Sequence, residues 1–187
     1  MDYSFYIQEL GEIDSQLVED LYQHALALPR DLKTTAWNPA YHRGVDGVRM
    51  PIGQAPPVIE RLLLQPAVSD VFPRESFHLY ELSKLNADGV VGMHTDQRHL
   101  WQGCMFGHKM HVPLSGSAIY KFKRSATEEP AEFQMQIGHV YVYNNYVLHG
   151  TGCTSAVERY NLVVNFLDMQ WTIKKRIYAK FGCDNTW

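Results

Sequence analysis

The chain has 187 residues, 45% hydrophobic and 20% charged, with a net charge of −3 and a pI near 6.3. That length suits a single domain over residues 1–187 with one sizeable core. Lys and Arg are scattered, and no apolar run reaches the roughly 20 residues that span a bilayer, so neither nucleic acid nor membrane is expected as a partner.

The first residues, MDYSFYIQELGEID, carry an acid at position 2 and no basic n-region, unlike a secretory signal. Cys104, Cys153 and Cys183 form an odd set without CxxC spacing, which predicts free thiols and a cytoplasmic setting. An amphipathic helix is predicted over about 14–28. Leu17, Leu21, Ala25 and Leu28 share one face, Asp14 or Ser15 caps the start, and Pro29 ends it. Residues 29–57, rich in proline and glycine, read as irregular, and a second helix is predicted from Pro56 or Pro57 to about Gln65.

From about residue 75 the pattern turns to β. Candidate strands are 77–83, 92–95, 109–113, 118–122, 132–136, 139–143, 147–149 and 160–167, with a last helix at about 171–181. A helical part over about 1–70 followed by a β core over about 75–168 predicts a mainly β fold. The strand count fits a double-stranded β-helix (a cupin-like jelly roll) buttressed by the N-terminal helices and a C-terminal helix.

Within GVVGMHTDQRHLW, His94 and Asp96 stand two apart, so an extended strand would turn an imidazole and a carboxylate to one side. His149, at the end of a β run and followed by Gly150 and Gly152, is the candidate third ligand. Two histidines and a carboxylate make a facial triad with three open positions for Fe(II), although zinc hydrolases use the same donors. Arg159 enters the apolar strand RYNLVVNFL ten residues after His149. A semi-buried guanidinium needs a carboxylate, and alternation sends Glu158 to the other face. A co-substrate carboxylate, as in 2-oxoglutarate, is the natural candidate.

Three segments carry a family resemblance: YELSKLNADGVVGMHTD, KMHVPLSGSAIYKF and GHVYVYNNYVLHGTGCTSAVERYNLVVNFL. Over about 80–167 the chain resembles the Fe(II)/2-oxoglutarate-dependent oxygenases, and more narrowly the aspartyl/asparaginyl β-hydroxylase-like branch, which includes bacterial hydroxylases of free L-proline. The resemblance implies iron ligation by His94, Asp96 and His149. It implies that Arg159 and Ser83 hold the distal carboxylate of 2-oxoglutarate, and that His111 contacts the carboxylate at the iron end. Lys109 stands where the branch has arginine, keeping the charge and losing the bidentate fork.

The implied activity is hydroxylation of an unactivated C–H of an amino acid or amino-acid residue, using O2 and releasing succinate and CO2. The substrate would be a small molecule or a peptide or protein segment. Trp37, Arg43, Arg49, Arg98 and Trp101 are candidates to line its pocket, and residues 97–108 form a candidate covering loop. Two other readings compete: a cupin-like metal-binding jelly roll with non-oxygenase activity, and a non-catalytic binding module. Neither gives 2-oxoglutarate or Arg159 a role.

Overall fold

The computed structural model describes residues 7–28, 42–95, 100–101, 104–144, 147–153 and 157–167. Its strands are β1 (Ile7–Glu12), β2 (His42–Pro51), β3 (Phe77–His94), β4 (Leu100–Trp101), β5 (Cys104–Ser115), β6 (Ala118–Lys123), β7 (Ala131–Gln134), β8 (His139–Asn144), β9 (Leu148–Cys153) and β10 (Arg159–Leu167). All paired strands run antiparallel, in the order β1-β8-β5-β10-β3-β9-β6-β7, with β2 on β3 and β4 on β5.

The long strand β3 lets this sheet curl into a jelly-roll form. Its first half, Phe77 to Leu85, pairs with β10 and β2, whereas Val90 to His94 pairs with β9. β3 thus belongs to two layers: β1, β8, β5, β10 and β2 on one side, and β9, β6 and β7 on the other.

Alternation decides what each face of the first layer meets. Tyr80 and Leu82 on β3, Met110, Val112 and Leu114 on β5, Val140 and Val142 on β8, and Tyr160, Leu162 and Val164 on β10 form one apolar face. Three helices cover it: α1 (Ser15–Ala27), α2 (Pro57–Leu63) and α3 (Pro66–Ser69). The Asp14 carboxylate accepts from the Leu17 amide at 3.0 Å to cap α1, which buries Leu17, Leu21 and Ala25. Proline stands in the first turn of α2 and α3, where no backbone donor is lost.

The other face of this layer looks inward. A small core of Ile7, Tyr120, Phe122, Ala131, Met135, Tyr141 and Val147 fills part of the space between the layers. Most remaining inward positions are polar, and they form the cavity described below.

Several expectations need correction. The segment read as irregular contains β2, whose Gly44, Asp46 and Gly47 argue against a strand; pairing with β3 overrides that weak local preference. The strands predicted at 77–83 and 92–95 are one strand that ends at His94. β1 was not anticipated. Residues 104–108 of the predicted covering loop belong to β5, and Leu100 and Trp101 pair with Met105 and Cys104. Residues 97–99 and 102–103, Trp37 and the C-terminal helix predicted at 171–181 lie outside the described residues. Among the described residues no helix is long and apolar enough to cross a membrane.

His24 on α1 gives the fold a pH dependence. Its Nε2 is buried without a hydrogen-bond partner, and burial holds its pKa below the ordinary histidine value. The unfolded chain therefore takes up this proton first as the pH falls. Stability should drop progressively below about pH 6.5, and His24→Gln should flatten that part of the profile in urea melts.

Candidate functional site

The inward face of the first layer is polar and buried at once. Glu81, His111, Arg159 and Asn161 there, with His149 and Thr151 from the second layer, are all buried. Desolvating such groups is costly unless they bind something. They line a cavity with about 620 Å³ of free space, part of it open to solvent, together with Ser83, Lys84, Val91, His94, Lys109, Tyr120 and Val163.

His94 reaches this cavity through a break in register. Val91 pairs with Thr151, but the next described pair is His94 with His149, three residues on in β3 against two in β9. The extra residue reverses the parity of β3, so that Val91 and His94 both line the cavity. The two imidazoles lie side by side, ring centroids 4.5 Å apart. Phe122, fully buried, is the next cross-strand neighbour of His149.

Their hydrogen bonds assign the ring protons. His94 Nδ1 lies 2.7 Å from the Gly92 carbonyl, and His149 Nδ1 lies 2.9 Å from the Val147 carbonyl. A carbonyl oxygen only accepts, so both Nδ1 atoms carry a proton, and in the neutral ring this leaves the lone pair on Nε2. That tautomer, fixed by a backbone acceptor, is the one a metal-binding histidine needs. His111 has the opposite arrangement. The Asn161 amide nitrogen, a pure donor, lies 2.8 Å from His111 Nδ1, which places the ring proton on Nε2. His111 is therefore built to donate to an anion.

The guanidinium of Arg159 lies along the same lining with only 4% of the residue exposed. It donates to the Tyr120 hydroxyl, and its Cζ sits 4.8 Å from the centroid of the Tyr120 ring. The neighbouring carboxylate, Glu158, is bound to Lys84 instead. Among the described residues Arg159 has no carboxylate partner, an expensive state for a buried cation. Gly116, with φ +70°, closes the β5–β6 turn against it; a Cβ there would meet the Arg159 Cα at 3.0 Å.

Ser83 donates to the Asn161 carbonyl at 3.2 Å. Asn161 Oδ1 is buried with no hydrogen-bond partner, so this wall keeps unspent acceptor capacity. Among the described residues the lining holds three cations, Arg159, Lys109 and Lys84, against a single carboxylate, Glu81. Lys84 is tied to Glu158, and Arg49 is tied to Glu81. The chemistry on offer is a pair of imidazoles beside a wall rich in positive charge.

The structure thus brings His94, His149, Ser83, Lys109, His111 and Arg159 to one cavity. Asp96 and Arg98 lie outside the described residues, as does the side chain of Trp101. Among the described residues no three His, Cys, Asp or Glu side chains converge on one point. Arg43 falls outside the lining, donating to the Asp88 carbonyl at 3.2 Å on the exposed side of β2. Arg49 also falls outside it and binds Glu81. Sequence reading missed Tyr120, Asn161, Thr151 and Glu81. The signal for Asn161 was present, since Arg159, Asn161 and Val163 alternate along RYNLVVN.

Gly150 holds the two histidine strands together. A methyl group there would meet the Val91 carbonyl at 2.8 Å and the Met93 amide nitrogen at 3.1 Å, both backbone atoms that cannot swing aside. Gly150→Ala should force β9 from β3 at a cost of about 1–3 kcal/mol. Calorimetry should show a lower Tm than that of the wild type.

No family model matches the sequence, and no curated protein matches it. Solved structures do resemble the fold. The non-heme alpha ketoglutarate dependent epimerase SnoN from nogalamycin biosynthesis aligns with TM-score 0.67 and 12% identity, over 89% of this chain and 80% of its own. A Pseudomonas putida prolyl-4-hydroxylase aligns with TM-score 0.61 and 14% identity, over 90% of this chain and 96% of its own. HygX from Streptomyces hygroscopicus, solved with nickel and 2-oxoglutarate bound, aligns with TM-score 0.60 and 15% identity, over 89% and 85% of the two chains. At such identities the likeness is one of fold.

Proposed function

We propose that the protein is an Fe(II)- and 2-oxoglutarate-dependent dioxygenase of the aspartyl/asparaginyl β-hydroxylase-like branch. It hydroxylates an unactivated C–H of an amino acid or amino-acid residue and releases succinate and CO2. The observation that carries this reading is the buried Arg159, without a carboxylate partner among the described residues, in the same cavity as two histidines whose Nε2 atoms keep their lone pairs. A metal and a dicarboxylate satisfy both features, and a metal hydrolase would leave the arginine unexplained. That solved structures similar to this chain include enzymes dependent on or bound to 2-oxoglutarate supports the same reading.

In this proposal His94, His149 and Asp96 hold the iron, which supplies the activation of O2 for attack on a C–H bond. Arg159, with the Tyr120 hydroxyl and Ser83 beside it, binds the far carboxylate of 2-oxoglutarate. Its planar fork fixes the orientation as well as the charge. His111 donates from Nε2 to the carboxylate at the metal end, with Asn161 holding the ring in that tautomer, and Lys109 adds positive charge near the same place. Val91 and Val163 add apolar surface to the lining, which limits water at the reacting centre.

Aerobic incubation with Fe(II), 2-oxoglutarate and a panel of amino acids and peptides tests the proposal. Succinate should form together with a product heavier by one oxygen atom. Succinate no higher than in a heat-denatured control across the panel would reject it.

A further inference from the structure

One carboxylate of the cavity wall, Glu81, is paired with an arginine just outside the lining, Arg49, and the proposed co-substrate uses neither. Glu81 is only 3% exposed and lines the cavity. Its Oε2 accepts from Arg49 Nε at 3.0 Å and Nη2 at 2.6 Å. The two residues are direct cross-strand neighbours, and the Arg49 side chain, on the outer strand β2, remains 37% exposed.

Register fixes where this pair stands. Glu81 is level with Val163 and His111, whereas Arg159 is level with Leu85, four residues along β3. At the rise of a strand this separates the rows by about 13 Å. A dicarboxylate held by Arg159 has no use for a second carboxylate at its other end. Arg49 neutralises Glu81, which limits repulsion of the carboxylate that the proposed function places at His111 and leaves the pair without a part in holding the co-substrate. Cross-strand ion pairs ordinarily stand on solvated faces, where they cost little. Here the carboxylate is buried and its partner half-exposed, an arrangement that gives little net stability compared with apolar residues of similar volume.

We infer that Glu81 and Arg49 form a subsite for the zwitterionic head of a free α-amino acid, Glu81 taking the ammonium group and Arg49 the carboxylate. The pair presents the mirror image of that head group, a buried anion beside a cation at the rim. Without ligand each neutralises the other; with ligand the two pairs become four alternating charges. The inference rests on the proposed function in taking the occupant of the other end to be the co-substrate, and it narrows the substrate to an amino acid with both backbone charges intact.

The test measures binding, not turnover. The full-length protein, with Mn(II) and 2-oxoglutarate present, is titrated by calorimetry and saturation-transfer NMR with the common L-amino acids. Those that bind are compared with their N-acetyl and carboxamide derivatives. At least one free amino acid should bind, and each derivative should bind about tenfold or more weakly, as expected for loss of a charge-assisted contact. In Glu81→Gln the penalty for N-acetylation should vanish while that for the carboxamide persists. In Arg49→Met the reverse should hold. A structural ion pair would alter all ligands alike and leave both penalties in place.

Thermal melts of Glu81→Gln, Arg49→Met and the double variant identify any that fail to fold, and the Glu81→Gln cycle alone suffices. Binding of no free amino acid, equal binding of free and capped forms, or penalties unmoved by either substitution would overturn the inference. Titrating 2-oxoglutarate into the same samples separates it from the proposed function. Dicarboxylate binding with no coupling to Glu81 rejects only the subsite, whereas coupling without dicarboxylate binding rejects only the oxygenase.

Discussion

Arg159→Met is expected to abolish useful binding of 2-oxoglutarate while leaving the ligand-free protein at least as stable as the wild type. Removing one partner of a buried, hydrogen-bonded charge pair costs about 2–5 kcal/mol, which corresponds to an affinity lowered about 30- to 5000-fold. In the ligand-free protein the balance is different. Arg159 is buried against the ring and hydroxyl of Tyr120, and its neighbour Glu158 is committed to Lys84. An apolar chain of similar volume removes the cost of desolvating a cation that no carboxylate among the described residues compensates. Calorimetric titration of 2-oxoglutarate with Mn(II), together with thermal melts of both proteins without ligand, checks the two halves. A large drop in stability with unchanged affinity would assign Arg159 to the fold rather than to the co-substrate.

His149→Gln should show the opposite separation. The substitution keeps a buried polar side chain of similar length but removes the imidazole held on the Val147 carbonyl. Loss of a supporting hydrogen bond behind a ligand commonly costs 10- to 100-fold in metal affinity, roughly, and loss of the ligand itself should cost more. Equilibrium dialysis with Mn(II) or Fe(II) should report weakening beyond that range, and succinate release should fall to background. The Arg159→Met protein should keep its metal, so the two variants should fail at different steps. Metal retained by His149→Gln with wild-type affinity would remove His149 from the ligand set.

Much of the fold was legible because the strongest signals were local. The apolar spacing of α1, its Asp14 cap and the prolines that open α2 follow from helix chemistry, and strands β6, β7, β8 and β10 lie within two residues of their expected bounds. What escaped depended on pairing between distant segments. The stretch LNADGVV reads as a turn, yet β3 runs through it because β2 and β9 supply partners. β2 itself contains two glycines and an aspartate, a composition that only its neighbour can hold extended.

The site divides along the same line. His94, His149 and Arg159 stood out because imidazole and guanidinium are conspicuous beside glycine turns and apolar runs. The register break that turns His94 into the cavity leaves no local mark, since it is defined by Thr151 and His149 across the sheet. Tyr120 and Glu81 sit in strands whose alternation explains them equally well as packing or surface residues. Only assembly of the layers shows that their shared face is both polar and buried. Arg49 was singled out as a substrate contact on composition, and its pairing with Glu81 came to light only with the register of β2 on β3.

A crystal structure determined without oxygen, with Mn(II) and 2-oxoglutarate bound, tests the central claim most directly. The account predicts manganese on His94 Nε2, His149 Nε2 and the Asp96 carboxylate, and the far carboxylate of 2-oxoglutarate on Arg159 beside the Tyr120 hydroxyl. Manganese on a different set of side chains, or a dicarboxylate bound away from Arg159, would contradict it.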